Sequence, residues 1–443
     1  AFISKPDWYY NLEYIQERER GYDYQEDLFV PGYLEFEIAK GESVIFSAGL
    51  TDADPETRAN AFSKEIARRI PRNNFENCLK NSAGQFIRQR DGEVRIIAGY
   101  PWFGWWSRDT FIAAPGLTLA TGEPETFLAI MDTMSKDLKG VLFPNIGSGD
   151  YTNMTSMDAP LWFFWSLQTY IQYTGDQKTV KDRYLGKLRG IIEGFKEGTD
   201  FNIHMLPSGL IWGGQEGLAL TWMDAITPDG PVTPRIGCPV EIQALWYNAL
   251  CFYHELSGEE EYLSLAAKVK ESFDREFWSW DYGYLADVVD GEEKDWSIRP
   301  NMLFATSLPY RILEEEKCDK VLEIVKSKLL TPRGLRSLSP DDPGYKGYYF
   351  GNQISRDQAY HNGTVWAWLL GHFAQGYLRL HGKAAKIFVE KIIKGFDGVM
   401  TQYGVGTVAE IYDGDAPHRP KGSVSQAWSI AELLRMMDLV KQV

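Results

Sequence analysis

Apolar positions follow two different periods along this chain, and the change falls near residue 50. Before it, Leu34, Phe36 and Ile38 alternate with Glu35 and Glu37, the period-two pattern of a strand with one covered face. Lys40-Gly41-Glu42 reads as a turn into a second short strand at Val44-Ile45-Phe46. Two strands alone make a marginal sheet. Residues 1–51 are therefore expected to be an N-terminal segment with β-strands, the tail of a larger β domain. From residue 52 to 443 the signal is helical. Helices are predicted near 56–70, 108–120, 123–138, 158–173, 177–198, 239–256, 259–276, 300–311, 313–328, 363–380, 383–398 and 424–440. The 363–380 stretch shows the period plainly, with Trp366, Leu369, Leu370, Phe373 and Tyr377 on one stripe.

Glycines punctuate these helices. Thr121-Gly122-Glu123, Thr174-Gly175-Asp176, Ser257-Gly258-Glu259 and His381-Gly382-Lys383 each close one helix and open another. Glycine suits the left-handed position that ends a helix. In the first three, an acid follows where the next helix dipole favours it. Between these tight turns run long connections rich in Gly, Pro, Trp and Asn, at 139–157, 200–238, 280–301, 331–362 and 399–423. The glycines are unevenly spaced, whereas an open solenoid repeats at a fixed period. The expected fold is all-α: a closed (α/α)6 barrel, tight turns at one end and elaborated loops at the other, preceded by a short β-hairpin segment.

Composition narrows the chemistry. With 443 residues, 44% of them hydrophobic and 14% aromatic, the chain has material for a large core. Its 61 acids outweigh 46 bases, a net charge of −15. That argues against nucleic acid and anionic membranes as partners. Cys78, Cys238, Cys251 and Cys318 are far apart and form no C-x-x-C, so they read as thiols of a reducing, cytoplasmic setting. The six histidines show no zinc spacing, and no metal or cofactor is expected. No apolar run is long enough to span a membrane, and the N-terminus lacks a signal-peptide layout. Gly213-Gly214 and Gly147-Ser148-Gly149 lack a phosphate-loop pattern.

Three loops pair aromatic residues and glycines with single acids. YPWFGWWSRDT carries Asp109, IWGGQEGLALTWMDA carries Glu216 and Asp224, and YGVGTVAEIYDG carries Glu410. Aromatic faces beside carboxyls hold sugar rings and raise carboxyl proton affinity by desolvation. Cleaving a glycosidic bond takes one carboxyl to protonate the leaving oxygen and a second to activate water or attack carbon. Asp224, flanked by Thr221-Trp222-Met223 and Ala225, is the first choice for the acid. Glu410, in Val408-Ala409-Glu410-Ile411-Tyr412, is the candidate base. Taken singly, each reads equally well as a helix-capping or surface carboxylate. Arg108-Asp109 and Asp158 each open a helix and read either as dipole partners or as a charged grip on sugar hydroxyls. Glu241 reads as a helix-start acid, and Trp162, Phe163, Phe164 and Trp165 read as core.

Several segments in order carry a family resemblance: Trp106-Ser107-Arg108-Asp109-Thr110-Phe111-Ile112, Leu142-Phe143-Pro144-Asn145, Thr221-Trp222-Met223-Asp224, Thr233-Pro234-Arg235 with Val240-Glu241-Ile242, Arg299-Pro300-Asn301, and Gln426-Ala427-Trp428-Ser429-Ile430. From about residue 75 to the C-terminus the chain resembles the amylo-α-1,6-glucosidase domain of glycogen debranching enzymes. The resemblance implies a six-hairpin barrel related to glucoamylases and inverting hydrolysis of α-1,6-linked glucose stubs on a branched α-glucan. It implies Asp224 as general acid and Glu410 as general base. It also implies that Arg108-Asp109 grips hydroxyls of the terminal glucose. The candidate sugar-binding residues are Trp106, Arg108, Asp109, Asn145, Asp158, Glu216, Trp222, Arg235, Glu241, Arg299, His361 and Trp428. An N-terminal β domain of the same protein is the implied partner. Where family members usually have Gly before the Arg-Asp pair and Arg before the later Asp, this chain has Ser107 and Met157. The competing readings are another α/α-barrel glucosidase acting on oligosaccharides and an inactive carbohydrate-binding homologue.

Overall fold

The computed structural model describes residues 1–50, 54–147 and 154–443. Ser148, Gly149 and part of the predicted 139–157 connection lie outside the described residues. The chain divides into two compact units: residues 1–73 with 350–356, and residues 74–349 with 357–443.

In the first unit, strands Phe2–Glu13 and Gln25–Leu34 form an antiparallel hairpin with two register shifts. The helix Pro55–Arg68 follows, with the Asp54 carboxylate capping the Glu56 amide at 3.1 Å. The predicted strands lay further along. The alternation at Leu34 begins where the second strand ends, and the turn at Lys40–Glu42 is present, closed by Glu42 N–H to the Ala39 carbonyl at 3.1 Å. Val44–Phe46 forms no strand. A strand needs a ladder neighbour for its backbone groups, and here Phe2–Glu13 pairs upstream of the turn.

The second unit is predominantly helical, with small antiparallel sheets among the loops. Ser107–Thr118 packs against Ala159–Thr174, which packs against Val240–Ser257. Val240–Ser257 packs against Phe304–Ser307, that against Leu369–His381, and that against Ala427–Gln442, which returns to Ser107–Thr118. Pro124–Lys136, Gln177–Glu197, Glu260–Phe277, Glu315–Ile324, Lys383–Lys394 and Phe75–Phe86 flank members of this series. The sequence explains the two classes. Ser107–Thr118 is buried at every position, and Trp162, Phe163, Phe164 and Trp165 are at most 2% exposed, as their reading as core requires. A helix apolar on all sides must be enclosed, and each such large side chain stabilises the fold by about 1.5–3 kcal/mol. Gln177–Glu197 instead buries one stripe: Val180, Tyr184, Leu188, Ile191 and Phe195.

The glycine turns hold in three cases. Gly122, Gly175 and Gly258 adopt the left-handed conformation at φ 84°, 73° and 75°. Gly382 differs, at φ 52° and ψ −136°. Among the described residues, three α-helices have no counterpart among the predicted ones: the short Ile15–Glu19, Phe75–Phe86 and Gln353–Tyr360. The predicted 300–311 helix is a 3-10 turn, Pro300–Leu303, continued by Phe304–Ser307, and it stops ahead of Pro309 because the residue before proline avoids helical geometry. The predicted 363–380 helix begins only at Leu369. Val365–Trp366 is a strand, central in a five-stranded antiparallel sheet with Leu330–Thr331, Gly334–Arg336, Ile411–Tyr412 and Pro420–Lys421. That sheet sets Glu410 one residue ahead of a strand. A second pair, Gly99–Tyr100 with Ser425–Gln426, joins the loop before Asp109 to the start of the last helix.

Candidate active site

Asp109 lies in the first turn of Ser107–Thr118, and Asp158 directly precedes Ala159–Thr174. Between them sits Arg108, 2% exposed. Its Nε donates to Asp158 Oδ2 at 2.7 Å, its Nη1 to Asp224 Oδ2 at 3.1 Å and its Nη2 to Ser156 Oγ at 3.3 Å. Ser156 in turn donates to the other Asp158 oxygen at 2.6 Å. The guanidinium is thus a bracket between a fully buried carboxylate and one on the open side: Asp158 is 1% exposed and Asp224 23%.

Glu410 has a different surround. The Tyr360 hydroxyl donates to its Oε1, and the Ser423 backbone N–H donates to Oε2 at 2.8 Å. Burial pushes its carboxyl up to about 7, against the two donors, and the charge of Asp224 pushes the same way. Burial raises Asp224 as well, while Arg108 opposes the rise and Asp158 adds to it. Asp109 is raised to about 8, first by burial, against the opposing charge of Arg108, and further by Asp224 and Glu410. Its Oδ1 accepts from Gln426 Nε2 at 3.4 Å, and Gln426 Oε1 accepts from Ser423 Oγ at 2.6 Å. Three carboxyls from distant segments are thus desolvated and coupled: Asp224 and Glu410 raise Asp109, and Asp224 raises Glu410. Such coupling is a mark of acid–base sites.

The other predicted residues divide. Asn145, 7% exposed, lends its carbonyl to Ser107 N–H at 3.4 Å, and its buried Oδ1 has no protein partner. Trp106 is half-buried beside it, its backbone bridged to Ile146, with Phe103 edge-on at 6.1 Å. Trp222 is 3% exposed; its Nε1 donates to Asn301 Oδ1 at 2.7 Å, and His361, Trp366 and Trp368 pack edge-on against it at 5.3–5.4 Å. Trp428 stacks on Trp368 at 5.1 Å, and its buried Nε1 has no protein partner. His361 lies flat on Trp366 and is held neutral by burial and by the nearby Arg299, Arg108 and Arg235. Arg299 ties the carbonyls of His361 and Ser337 and Asn362 Oδ1 together. Arg235 is enclosed by Glu241, Asp287 and Thr221. Glu216 is exposed.

Tyr360, Ser156, Ser423 and Gln426 were not singled out by sequence, although Tyr360 precedes His361 and Gln426 heads a quoted motif. Among the described residues, no group of three or more His, Cys, Asp or Glu side chains could hold a metal ion, and no helix is long and apolar enough to cross a membrane.

The family model for amylo-α-1,6-glucosidase matches residues 81–435, the part of the chain that carries the contacts of this site. The chain belongs to the amylo-α-1,6-glucosidase family. The family is one of glycoside hydrolases. A second family model, the N-terminal part of glycogen debranching enzymes, matches residues 1–45. Among curated relatives, the glycogen debranching enzyme of Saccharomyces cerevisiae is 25% identical over 391 residues, which cover 66% of this chain and 26% of that enzyme. The chain thus spans about a quarter of the length of that larger relative.

Proposed function

We propose that this amylo-α-1,6-glucosidase domain removes single α-1,6-linked glucose residues from branched α-glucans with inversion, Asp224 acting as general acid and Glu410 as general base. The observation that carries the reading is the pairing of two perturbed carboxyls with opposite surrounds. Glu410 accepts two hydrogen bonds that favour its ionised form. Asp224 stands partly open beside it, with a net rise in proton affinity. Because the charge of Asp224 raises Glu410, a proton on Asp224 favours ionisation of Glu410.

In this mechanism the C1–O bond of the stub breaks as Asp224 gives its proton to the leaving 6-oxygen. A water oxygen bonds to C1 from the opposite face, and its proton passes to Glu410. Arg108, anchored by Asp158, keeps the acid in place. Asp109 and the orphaned acceptor Asn145 Oδ1 take sugar hydroxyls, beside the half-buried ring of Trp106. The cyclic order of helix contacts supports an (α/α)6 barrel with this site at its loop end. The match of residues 1–45 supports an N-terminal partner segment within the same protein; the boundary proposed near residue 51 falls short of Asn73, where the first compact unit ends. The four unpaired thiols support a cytoplasmic setting.

The test is the anomer released from a limit dextrin, followed by proton NMR before mutarotation. β-Glucose appearing first is expected. α-Glucose first would sink inversion, and a Glu410→Gln variant retaining more than a tenth of wild-type turnover would remove Glu410 as base.

A further inference from the structure

Glu410 is fixed at both oxygens. The Ser423 amide on Oε2 depends on Gly422, which takes φ +67° and where an added Cβ would lie 2.2 Å from that same oxygen. The hydroxyl on Oε1 comes from Tyr360, the last residue of the Gln353–Tyr360 helix. The Tyr360 ring is locked: Trp366 packs on it at 4.9 Å, Tyr349 at 5.7 Å and His361 at 4.7 Å. Its carbonyl accepts from Trp366 Nε1 at 3.1 Å. Burial and the charge of Glu410 hold the phenol well above its ordinary value, so Tyr360 remains a donor throughout the working pH range.

We propose that Tyr360 is a positioning residue for the base: its hydroxyl keeps Glu410 ionised and stops the carboxylate from turning, and so sets the acidic limb of the pH profile. This rests on the assignment of Glu410 as base. The groups facing Glu410 define the sign. Asp224, from the 221–225 loop, raises its proton affinity, and Asp109, at the start of the 107–118 helix, is electrostatically coupled to it. Ser423 N–H and Tyr360 O–H oppose the rise, with Gln426 behind Ser423 and Tyr349 behind Tyr360. Removing the hydroxyl leaves both carboxyls and only one donor. The base then ionises at higher pH.

The experiment is the pH dependence of kcat and kcat/KM on a limit dextrin for wild type, Tyr360→Phe and Glu410→Gln. The phenylalanine ring preserves the packing, and equal melting temperatures check that. Tyr360→Phe is expected to move the acidic limb up by about one pH unit, the scale of one hydrogen bond to a charged group, with KM nearly unchanged. A 3-fluorotyrosine at the same position, a stronger donor, is expected to move the limb the other way. If Tyr360→Phe lowers activity evenly at every pH, or leaves the limb in place while Glu410→Gln is inactive, the role of Tyr360 is overturned and the base assignment stands. If Glu410→Gln stays active, the base assignment itself has failed.

Discussion

Arg108 and Arg235 are built alike and do different things. Each is a buried arginine holding two carboxylates, one of them at a helix start: Arg108 holds Asp158 and Asp224, and Arg235 holds Asp287 and Glu241. The distances are of the same order, 2.7 and 3.1 Å around Arg108, and 2.9 Å to Asp287 with 2.7 Å from Arg235 Nη2 to Glu241. What differs is closure. Asp287 and Glu241 are each 1% exposed, and so is Asp158, but Asp224 is 23% exposed. On Arg235 both carboxylates are engaged in the ion pair and shielded from solvent. A carboxylate held from behind and open in front is able to act on something that arrives. The sequence reading placed Arg235 and Glu241 among the sugar-binding candidates, since residue type and position do not distinguish an open cluster from a closed one.

The largest effect expected from this difference is on turnover. Asp224→Asn removes the proton donor and keeps the shape, so kcat on a limit dextrin should fall by about 10²–10⁴. Stability should change by less than about 1 kcal/mol, as befits a partly exposed ion pair, because Arg108 keeps Asp158 and Ser156. Urea unfolding alongside steady-state rates decides it. A stability loss of several kcal/mol would mean that Asp224 belongs with the closed cluster after all.

The mirror experiment is Arg235→Met. It strands Glu241 and Asp287 in the interior without their cation, and breaking a buried pair in this way costs about 3–5 kcal/mol. The urea midpoint should drop accordingly, while turnover per folded molecule stays near wild type. The opposite outcome, an unchanged midpoint with lost turnover, would bring Arg235 into the site and erase the contrast with Arg108.

Legibility followed the same line between what is local and what is not. Helix stripes, glycine stops and the acids that open helices are local, and they located Arg108, Asp109, Asp158, Asp224 and Glu410 in their loops. The conformations of Gly122, Gly175 and Gly258 bear out the stops. Val365–Trp366 defeated the periodicity because a fully buried strand and a buried helix segment show the same apolar run. The N-terminal strands were misplaced because the alternation does not say which strand pairs. Ser423 acts through a backbone N–H that almost any residue would supply, so its type carries no signal. Tyr360 reaches Glu410 across 50 residues of chain, a contact made by folding and not by spacing.

Glu216 gives the smallest expected effect and the finest probe of where the open side ends. It lies in the same sequence loop as Asp224 and by that token ranked as a sugar contact. In the structure it is exposed, on a turn closed by Leu218 N–H to the Gln215 carbonyl at 3.1 Å. Replacing such a surface side chain changes stability by at most about 0.5 kcal/mol. Glu216→Ala should therefore leave the melting curve, kcat and KM for a limit dextrin close to wild type. A raised KM with kcat unchanged would report lost binding that is equal in ground and transition states. In that case the open face beside Asp224 extends to the 215–218 turn, and Glu216 touches the glucan beyond the residue being removed.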